Sequence, residues 1–266
     1  MASNTTVVQA LQSILHENWS QFLLNLTGIQ HTSDPEVLHQ ARVGWRRFNS
    51  TRKFFKPLLP DQSDIPPPTL RPLLDWLGRV RDIDVALEET LPAWCNLYTK
   101  GHSARRVQWN AMIQELQLHR EQGRLAIELV GNEPDIKAGL QCVSAWIEAL
   151  STTAHSDVAH LSGKEWRGWI EHRLDRLNRI LVHKCHQADL RNQHKARILA
   201  KQLRYEVEIL QSLLSKRWVH QSLKKARTLQ TAIGRQRDRR SAHQLVKSLH
   251  HYPAVADFIR AHPDAD

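Results

Sequence analysis

Residues that interrupt regular structure are scarce in this sequence. It has 10 glycines and 11 prolines among 266 residues. The long segments between them favour helices over a series of short strands. No stretch is apolar over the length that crosses a bilayer, and the amino terminus lacks the basic start and apolar run of a secretory signal. We therefore expect a cytoplasmic protein.

Cysteine is also rare, with Cys95, Cys142 and Cys185 far apart and no paired motif. An odd number at wide spacing argues against a disulfide scaffold and for a reducing compartment.

Acidic residues are fewer than basic ones, 27 against 37, and the formal net charge is +10. Apolar residues make up 41% and charged residues 24% of the chain, a balance typical of globular rather than disordered proteins. Such a basic globular protein usually meets a polyanion, for example nucleic acid, an acidic membrane surface or a phosphate polymer.

Apolar residues at helical spacing predict an all-α fold of up-and-down four-helix bundles. In "SDPE", Asp34 and Pro35 are typical of a cap and a first helical position.

The polar connector 151–163 predicts two domains, an N-terminal bundle over 1–150 and a C-terminal bundle over 151–266. The tail 251–266, with two prolines, is expected to be loosely attached. The predicted helices cover 7–27, 35–59, 70–91, 103–130, 135–150, 164–187, 191–215 and 217–249.

Two blocks of sequence repeat at nearly the same offset. Residues 39–59 align with 194–214 at an offset of 155, and residues 77–86 align with 233–242 at an offset of 156. "GRxRD" occurs in both members of the second pair. The agreement indicates an internal duplication and predicts two bundles related by a pseudo-two-fold axis.

Each repeat places a stripe of basic residues on one helix face, within about 80° at about 100° per residue. An ordinary solvated helix surface usually has acids one turn from its bases. The first stripe has none between Glu36 and Asp61, and the second has Glu206 and Glu208 only at its end. We therefore expect a ligand polyanion to neutralise the stripes. The stripes consist of His39, Arg42, Arg46 and Lys53, and of His194, Arg197, Lys201 and Arg204.

Three motifs in this order resemble the CHAD domain, the conserved histidine α-helical domain. They are "HxxRVxxRRF" from residue 39, "LGxVRDIDV" from residue 77 and "HxxRIxxKxLRYxxE" from residue 194. The resemblance extends over nearly the whole chain and implies two pseudo-symmetric four-helix bundles that bind inorganic polyphosphate on a basic central surface. It also implies a location at polyphosphate granules in the cytoplasm. The sequence has no Walker loop, dinucleotide fingerprint or nucleophile elbow, and we expect neither catalysis nor a cofactor or metal.

The polyphosphate ligands that the resemblance implies are mostly arginines and lysines. Arginine makes bidentate contacts with phosphate oxygens and lysine supplies a point charge. Where the family's first motif usually has another arginine, this chain has Asn49. The implied residues are His39, Arg42, Arg46, Arg47, Lys53, Arg81, His194, Arg197, Lys201, Arg204, Tyr205 and Arg237.

Several roles stay open at the level of sequence. His39 and His194 either donate to phosphate or hydrogen-bond within the protein to orient their helices. Asp82 and Asp84, two residues apart on a predicted helix, point to different sides and are expected to orient arginines rather than act as an acid–base pair. The "HKCH" segment at 183–186 is a weak metal motif, because Cys185 does not share a face with its histidines.

Two other functions compete with polyphosphate binding. Nucleic-acid binding would suit the charge and the nine tryptophans, although core anchoring is the usual role of tryptophan. Acidic residues close to a basic stripe would be consistent with an enzyme that hydrolyses polyphosphate. The sequence specifies neither a preferred polyphosphate length nor an oligomeric state.

Overall fold

The computed structural model describes residues 7–60, 64–153, 163–185, 187 and 190–262. At 151–153, 190, 191, 193, 194, 232 and 233 it describes the backbone alone.

The predicted all-α class is confirmed, since the described residues form helices and contain no strand. None of the described helices combines the length and the apolar character needed to cross a membrane. The α-helices are α1 (Val7–Gly28), α2 (Pro35–Phe54), α3 (Arg71–Val85), α4 (Pro92–Thr99), α5 (Ser103–Gly131), α6 (Pro134–Thr153), α7 (Gly163–Cys185), α8 (Leu190–Leu210), α9 (Lys216–Ser248) and α10 (Pro253–Ala261).

The start of α2 follows the sequence signals, but its end does not. The backbone N–H of Glu36 donates to Asp34 Oδ1 at 2.9 Å, as expected of a capping residue. The helix stops at Phe54 rather than Leu59, and a short 3₁₀ turn covers Lys56–Leu58. Pro57 explains the difference, because proline lacks a backbone N–H and disfavours helical geometry in the residue before it.

The expectation of a loosely attached tail is wrong for residues 253–262. Pro253 begins α10, in which Val255, Ala256 and Ile259 are buried. The carbonyl of His262 accepts a 2.8 Å hydrogen bond from Trp94 Nε1. The first proline of the tail is therefore a helix start, a position where its fixed φ is favourable.

The chain forms two compact units, and each draws on separate segments of the sequence. The predicted domains 1–150 and 151–266, expected to be two repeats of the sequence, stay a prediction. The first unit comprises Met1–Thr27, Gln40–Pro68 and Ala138–Gly234, and the second comprises Gly28–His39, Thr69–Lys137 and Arg235–Asp266.

In the first unit, α1 packs closely against α2. A Cβ on Gly44 would lie 2.6 Å from the backbone nitrogen of Phe22, so only glycine allows the two backbones this approach. Trp19 lies between Phe22 and Phe48, with ring centroids 5.1 Å from each, and Trp19 Nε1 donates to Ser144 Oγ of α6 at 2.9 Å. This aromatic packing buries one face of α2, and the opposite face of the helix therefore points away from the core.

The first unit also contains α7, α8 and the part of α9 up to Gly234. The ring of Phe55, which follows α2, stacks on Trp166 and Trp169 of α7, at 5.6 and 5.7 Å between centroids. Gln230 Nε2 of α9 donates to the Ala200 carbonyl of α8 at 3.0 Å. These contacts hold α8 in place within the first unit.

The second unit has its own hydrophobic core, which joins α3, α4, α5, α9 and α10. Its largest members are Trp94, Trp109 and Tyr98, all buried. The side chain of Val80 on α3 packs onto Gly123 of α5, where a Cβ would lie 2.5 Å from Val80 Cγ2.

Candidate functional site

The predicted basic residues of the first unit lie on α2 and α8. The segments 40–54 and 190–210 together carry ten lysines and arginines and two acids, Glu206 and Glu208. Lys53 is exposed, whereas Tyr205 is buried. The remaining predicted residues, which are partly buried, are Arg42, Arg46, Arg47, Arg197, Lys201 and Arg204.

Side chains of α2 and α8 meet at Tyr205. The guanidinium of Arg204 lies 5.1 Å from the centroid of the Tyr205 ring, and that of Arg47 lies 5.9 Å from it. Both arginines also form ion pairs with Glu208, at 3.7 Å from Arg47 and 3.6 Å from Arg204. One carboxylate and one aromatic ring thus position two guanidiniums from different helices.

Two further cations on α2 have no acid beside them. Arg46 and Lys53 are seven residues apart, which places them about 20° apart around the helix and about 10 Å apart along it. Neither side chain forms an ion pair or a hydrogen bond with any part of the chain that the structure describes. Desolvation, and then the neighbouring Arg52, lower the pKa of Lys53. We refer to Arg46, Arg47, Lys53 and Arg204 as the α2–α8 cations.

The second acid of α8, Glu206, does not offset this charge at neutral pH. Its side chain is fully buried, and its Oε1 accepts a 2.7 Å hydrogen bond from Ser50 Oγ of α2. Burial raises the pKa of Glu206 to about 8, against the lowering by the Ser50 hydrogen bond and by Arg173. The protonated form therefore predominates at neutral pH, and Glu208 is the main negative charge beside the α2–α8 cations.

Arginines of the second unit are in a different environment. Arg81 forms a 3.0 Å ion pair with Glu89. Arg237 Nη2 donates to both carboxylate oxygens of Asp82, at 3.0 and 3.1 Å, and its Nη1 lies 3.5 Å from Asp238. The expectation that Asp82 orients an arginine is confirmed by this contact.

Asp84, two residues further along α3, is buried, and neither carboxylate oxygen has a hydrogen-bond partner in the described part of the chain. Burial raises its pKa to about 6, against the lowering by Arg81, Arg120 and Arg124. Its expected role of orienting an arginine is therefore not seen as a hydrogen bond. Among the described residues, no group of three or more His, Cys, Asp or Glu side chains is arranged to hold a metal ion.

Of the two predicted histidine side chains, the structure describes one. His39 is partly buried on α2, within the segment that belongs to the second unit. The side chain of His194 lies outside the described residues, as does His186 of the "HKCH" segment.

Sequence reasoning missed two basic features of the first unit. Arg173 of α7 packs over the rings of Phe54 and Trp169, at 5.3 and 5.0 Å from their centroids, and acts electrostatically on Glu206. Its four-residue spacing from Trp169 was a usable signal. The first part of α9, residues 216–234, contains no acid, and this was also readable from the sequence. Its five basic residues are Lys216, Arg217, Lys224, Lys225 and Arg227.

The tryptophans have the core role that is usual for this residue. Four are buried and five are partly buried, and none is exposed. Trp45, the one beside the first basic stripe, packs against Trp19, Phe22 and Phe48.

Comparisons with known proteins agree with this architecture. The crystal structure of the CHAD domain from the plant Ricinus communis aligns with a TM-score of 0.77 and 24% identity, over 99% of this chain and 88% of that one. PptA from Streptomyces chartreusis aligns with a TM-score of 0.62 and 17% identity, over 97% of this chain and 99% of that one. No curated protein matches the sequence significantly. The family model described as the CHAD domain matches residues 13–247, and the chain therefore belongs to the CHAD domain family.

Proposed function

We propose that this protein binds inorganic polyphosphate through the basic residues of α2 and α8. The observation that carries the proposal is the charge balance of these helices. Two of the α2–α8 cations, Arg47 and Arg204, share the carboxylate of Glu208, and the other two, Arg46 and Lys53, have no ion-pair partner in the described chain. A surplus of this kind repels itself until a polyanion binds.

The side chains present suit a ligand that has phosphates and no bases. Polyphosphate offers roughly one negative charge per phosphate, so affinity depends on cations, hydrogen-bond donors and the release of condensed counterions. Arg47 and Arg204 are held in place by Tyr205 before any ligand arrives, which lowers the entropy lost on binding. In this proposal Arg42, Arg197 and Lys201 extend the same surface along their helices, and whether the two histidines donate to phosphate stays a prediction.

The predicted ligands Arg81 and Arg237 contribute less in this proposal. Each already has a carboxylate partner at 3.0 Å, and a phosphate would have to compete with it. Asp82 is occupied by Arg237 and Asp84 is buried, so neither is presented for acid–base work, and we propose binding without turnover.

Nucleic acid is the less suitable polyanion. Proteins that bind single strands without sequence preference usually stack bases on aromatic side chains. Trp45 is the tryptophan closest in sequence to the cations of α2, and its ring packs among other aromatic rings of the first unit.

We also propose the internal duplication and its pseudo-two-fold axis. Residues near such an axis contact their equivalents in the other repeat. Ser50 and Glu206 are hydrogen-bonded and 156 residues apart, and Asp82 and Arg237 are paired and 155 residues apart. Each separation is within one residue of the offset of its own block, 155 for the first block and 156 for the second, so each contact joins a residue to a neighbour of its equivalent, which supports the proposal.

The function is tested by competition. We expect polyphosphates of defined length to displace a fluorescent DNA oligonucleotide from the protein, and affinity to rise with polyphosphate length because more phosphates can meet the cations. DNA binding that survives a large excess of long-chain polyphosphate would contradict the proposal. Release of orthophosphate by the wild type, lost in Asp82→Ala, would replace binding with hydrolysis.

Location follows as a further part of the proposal. A cytoplasmic protein with this ligand should concentrate at polyphosphate granules. Fluorescence microscopy of a tagged protein should show foci that disappear in cells unable to make polyphosphate, and persistent foci in such cells would contradict the proposed location.

A further inference from the structure

The outer face of α5 carries large apolar side chains that contact water. Leu129 is 72% exposed, Val107 70%, Leu125 60% and Leu118 57%. At about 100° per residue, these four positions lie within about 40° of one another, opposite the buried face that contains Trp109 and Leu116. We call Val107, Leu118, Leu125 and Leu129 the α5 stripe. Clustered exposed apolar residues of this kind usually mark an interface.

The stripe has the spacing of a helix that packs against another helix. Between its members, on the same face, lie Ala111, Gln114 and Gln122. Together these seven positions follow steps of three and four residues, which is the pattern of knobs-into-holes packing. The spacing therefore indicates that another helix can pack against the outer face of α5 along most of its length.

The pattern is symmetric about Leu118. Gln114 and Gln122 lie four residues from Leu118, Ala111 and Leu125 lie seven, and Val107 and Leu129 lie eleven. If a second copy of α5 packs antiparallel about a two-fold axis at Leu118, each residue faces the member of its pair on the other copy. Glutamine then meets glutamine, and the small Ala111 meets the large Leu125, a combination that fills space well.

Charge supports the same arrangement. Arg106 and Glu128 are exposed, lie to the same side of the stripe and form no ion pair within the described chain. Arg106 is twelve residues before Leu118 and Glu128 is ten after it, so an antiparallel partner would bring them within about 3 Å along the axis at about 1.5 Å per residue. The two-fold axis forms this contact twice. In a parallel pair Arg106 and Glu128 would be about 33 Å apart along the axis, too far to form an ion pair.

We propose that the protein forms a homodimer in which the α5 stripes of two copies pack antiparallel about Leu118. The occupant of the exposed face is thus a second copy of this chain. The surface belongs to the second unit and is independent of the proposed polyphosphate site.

Sedimentation velocity over a range of protein concentrations tests the dimer. The wild type should shift from monomer to dimer as concentration rises, and Leu118→Glu should lose the dimer, because two like charges would meet at the axis. Leu24→Glu is the matched control, since Leu24 is 75% exposed on α1 and lies outside the stripe. Circular dichroism checks that both variants fold. A wild type that is monomeric at every concentration, or a dimer that survives Leu118→Glu, would overturn the proposal.

A charge exchange tests the ion pair and the orientation. Arg106→Glu and Glu128→Arg should each weaken the dimer about tenfold, because each creates two like-charge contacts, and the double variant should recover most of the affinity. Failure of the double variant to recover would contradict the antiparallel register.

Cross-linking gives a second test of orientation. In a background with Cys95, Cys142 and Cys185 replaced by serine, Leu118→Cys should form a disulfide dimer and Val107→Cys should not. Equal cross-linking of both variants would indicate a parallel pair and overturn the proposal.

Discussion

The predicted basic ligands of the two units differ in the acids that they contact. In the first unit, Arg46 and Lys53 have no ion-pair partner in the described chain, and Arg47 and Arg204 share the single carboxylate of Glu208. In the second unit, Arg81 and Arg237 each have a carboxylate at 3.0 Å. The basic residues look alike in the sequence, but the acids that fold against them decide which are available to a ligand.

Buried acids give the largest expected difference between the units. Glu206 in the first unit has a folded pKa of about 8 against an ordinary 4.5, and Asp84 in the second has about 6 against 3.8. A raised pKa means that the folded state keeps a proton that the unfolded chain has released. Stability is therefore full below the ordinary pKa and falls by about 1.4 kcal/mol per pH unit until the folded pKa is passed.

Urea unfolding at a series of pH values measures this difference. Glu206→Gln should remove the loss of stability between pH 4.5 and about 8, and Asp84→Asn should remove the loss between pH 3.8 and about 6. Each amide keeps the shape of the side chain without an ionisable proton, so the other variant is its control. A Glu206→Gln profile parallel to that of the wild type above pH 6 would show that Glu206 ionises normally.

The second prediction compares the cations themselves. Arg46→Ala combined with Lys53→Ala should lower polyphosphate affinity about tenfold at physiological salt and reduce the log–log salt slope by about 1.4, at about 0.7 per lost phosphate contact. Arg81→Ala combined with Arg237→Ala should change affinity less than about twofold, because the paired acids already offset these charges. Titrations with one polyphosphate length at several salt concentrations provide both values.

A control for net charge accompanies these double variants. Arg71→Ala with Lys137→Ala removes the same two charges from exposed positions of the second unit, outside both groups of arginines. It should behave like Arg81→Ala with Arg237→Ala. If all three double variants lose the same affinity, the protein binds through its overall charge and the comparison between units fails.

The smallest expected effect comes from removing an acid. Glu208→Gln should raise polyphosphate affinity about threefold, because the main negative charge beside the α2–α8 cations disappears. Asp82→Asn, the matched change in the second unit, releases Arg237 and should leave affinity unchanged. Equal gains in the two variants would mean that Arg237 belongs to the binding surface as much as Arg47 does.

Local signals made much of the fold predictable. Asp34 and Pro35 marked the start of α2 because capping and a fixed φ act within a few residues. The spacing of His39, Arg42 and Arg46 placed the first basic stripe on one helix face, since helical periodicity depends on sequence alone. The same kind of signal misled at Pro253, where a proline interpreted as a breaker begins α10.

Contacts over long sequence separations could not be predicted in the same way. Glu206 meets Ser50 across 156 residues, and its neutral state depends on burial that no local pattern shows. The ion pair between Arg47 and Glu208 likewise depends on how α2 and α8 pack. Sequence reasoning therefore located the cations but could not decide which acids would reach them.

The buried carboxyl of Glu206 has a spectroscopic consequence. A protonated carboxyl absorbs in the infrared apart from ionised carboxylates, so Glu206 gives the protein an internal reporter close to α2 and α8. Polyphosphate bound on these helices would add negative charge near the group and disfavour its ionisation. The band should then persist to a higher pH with ligand than without it, and Glu206→Gln should lack it. Ligand occupancy could thus be followed by difference spectroscopy without any attached dye.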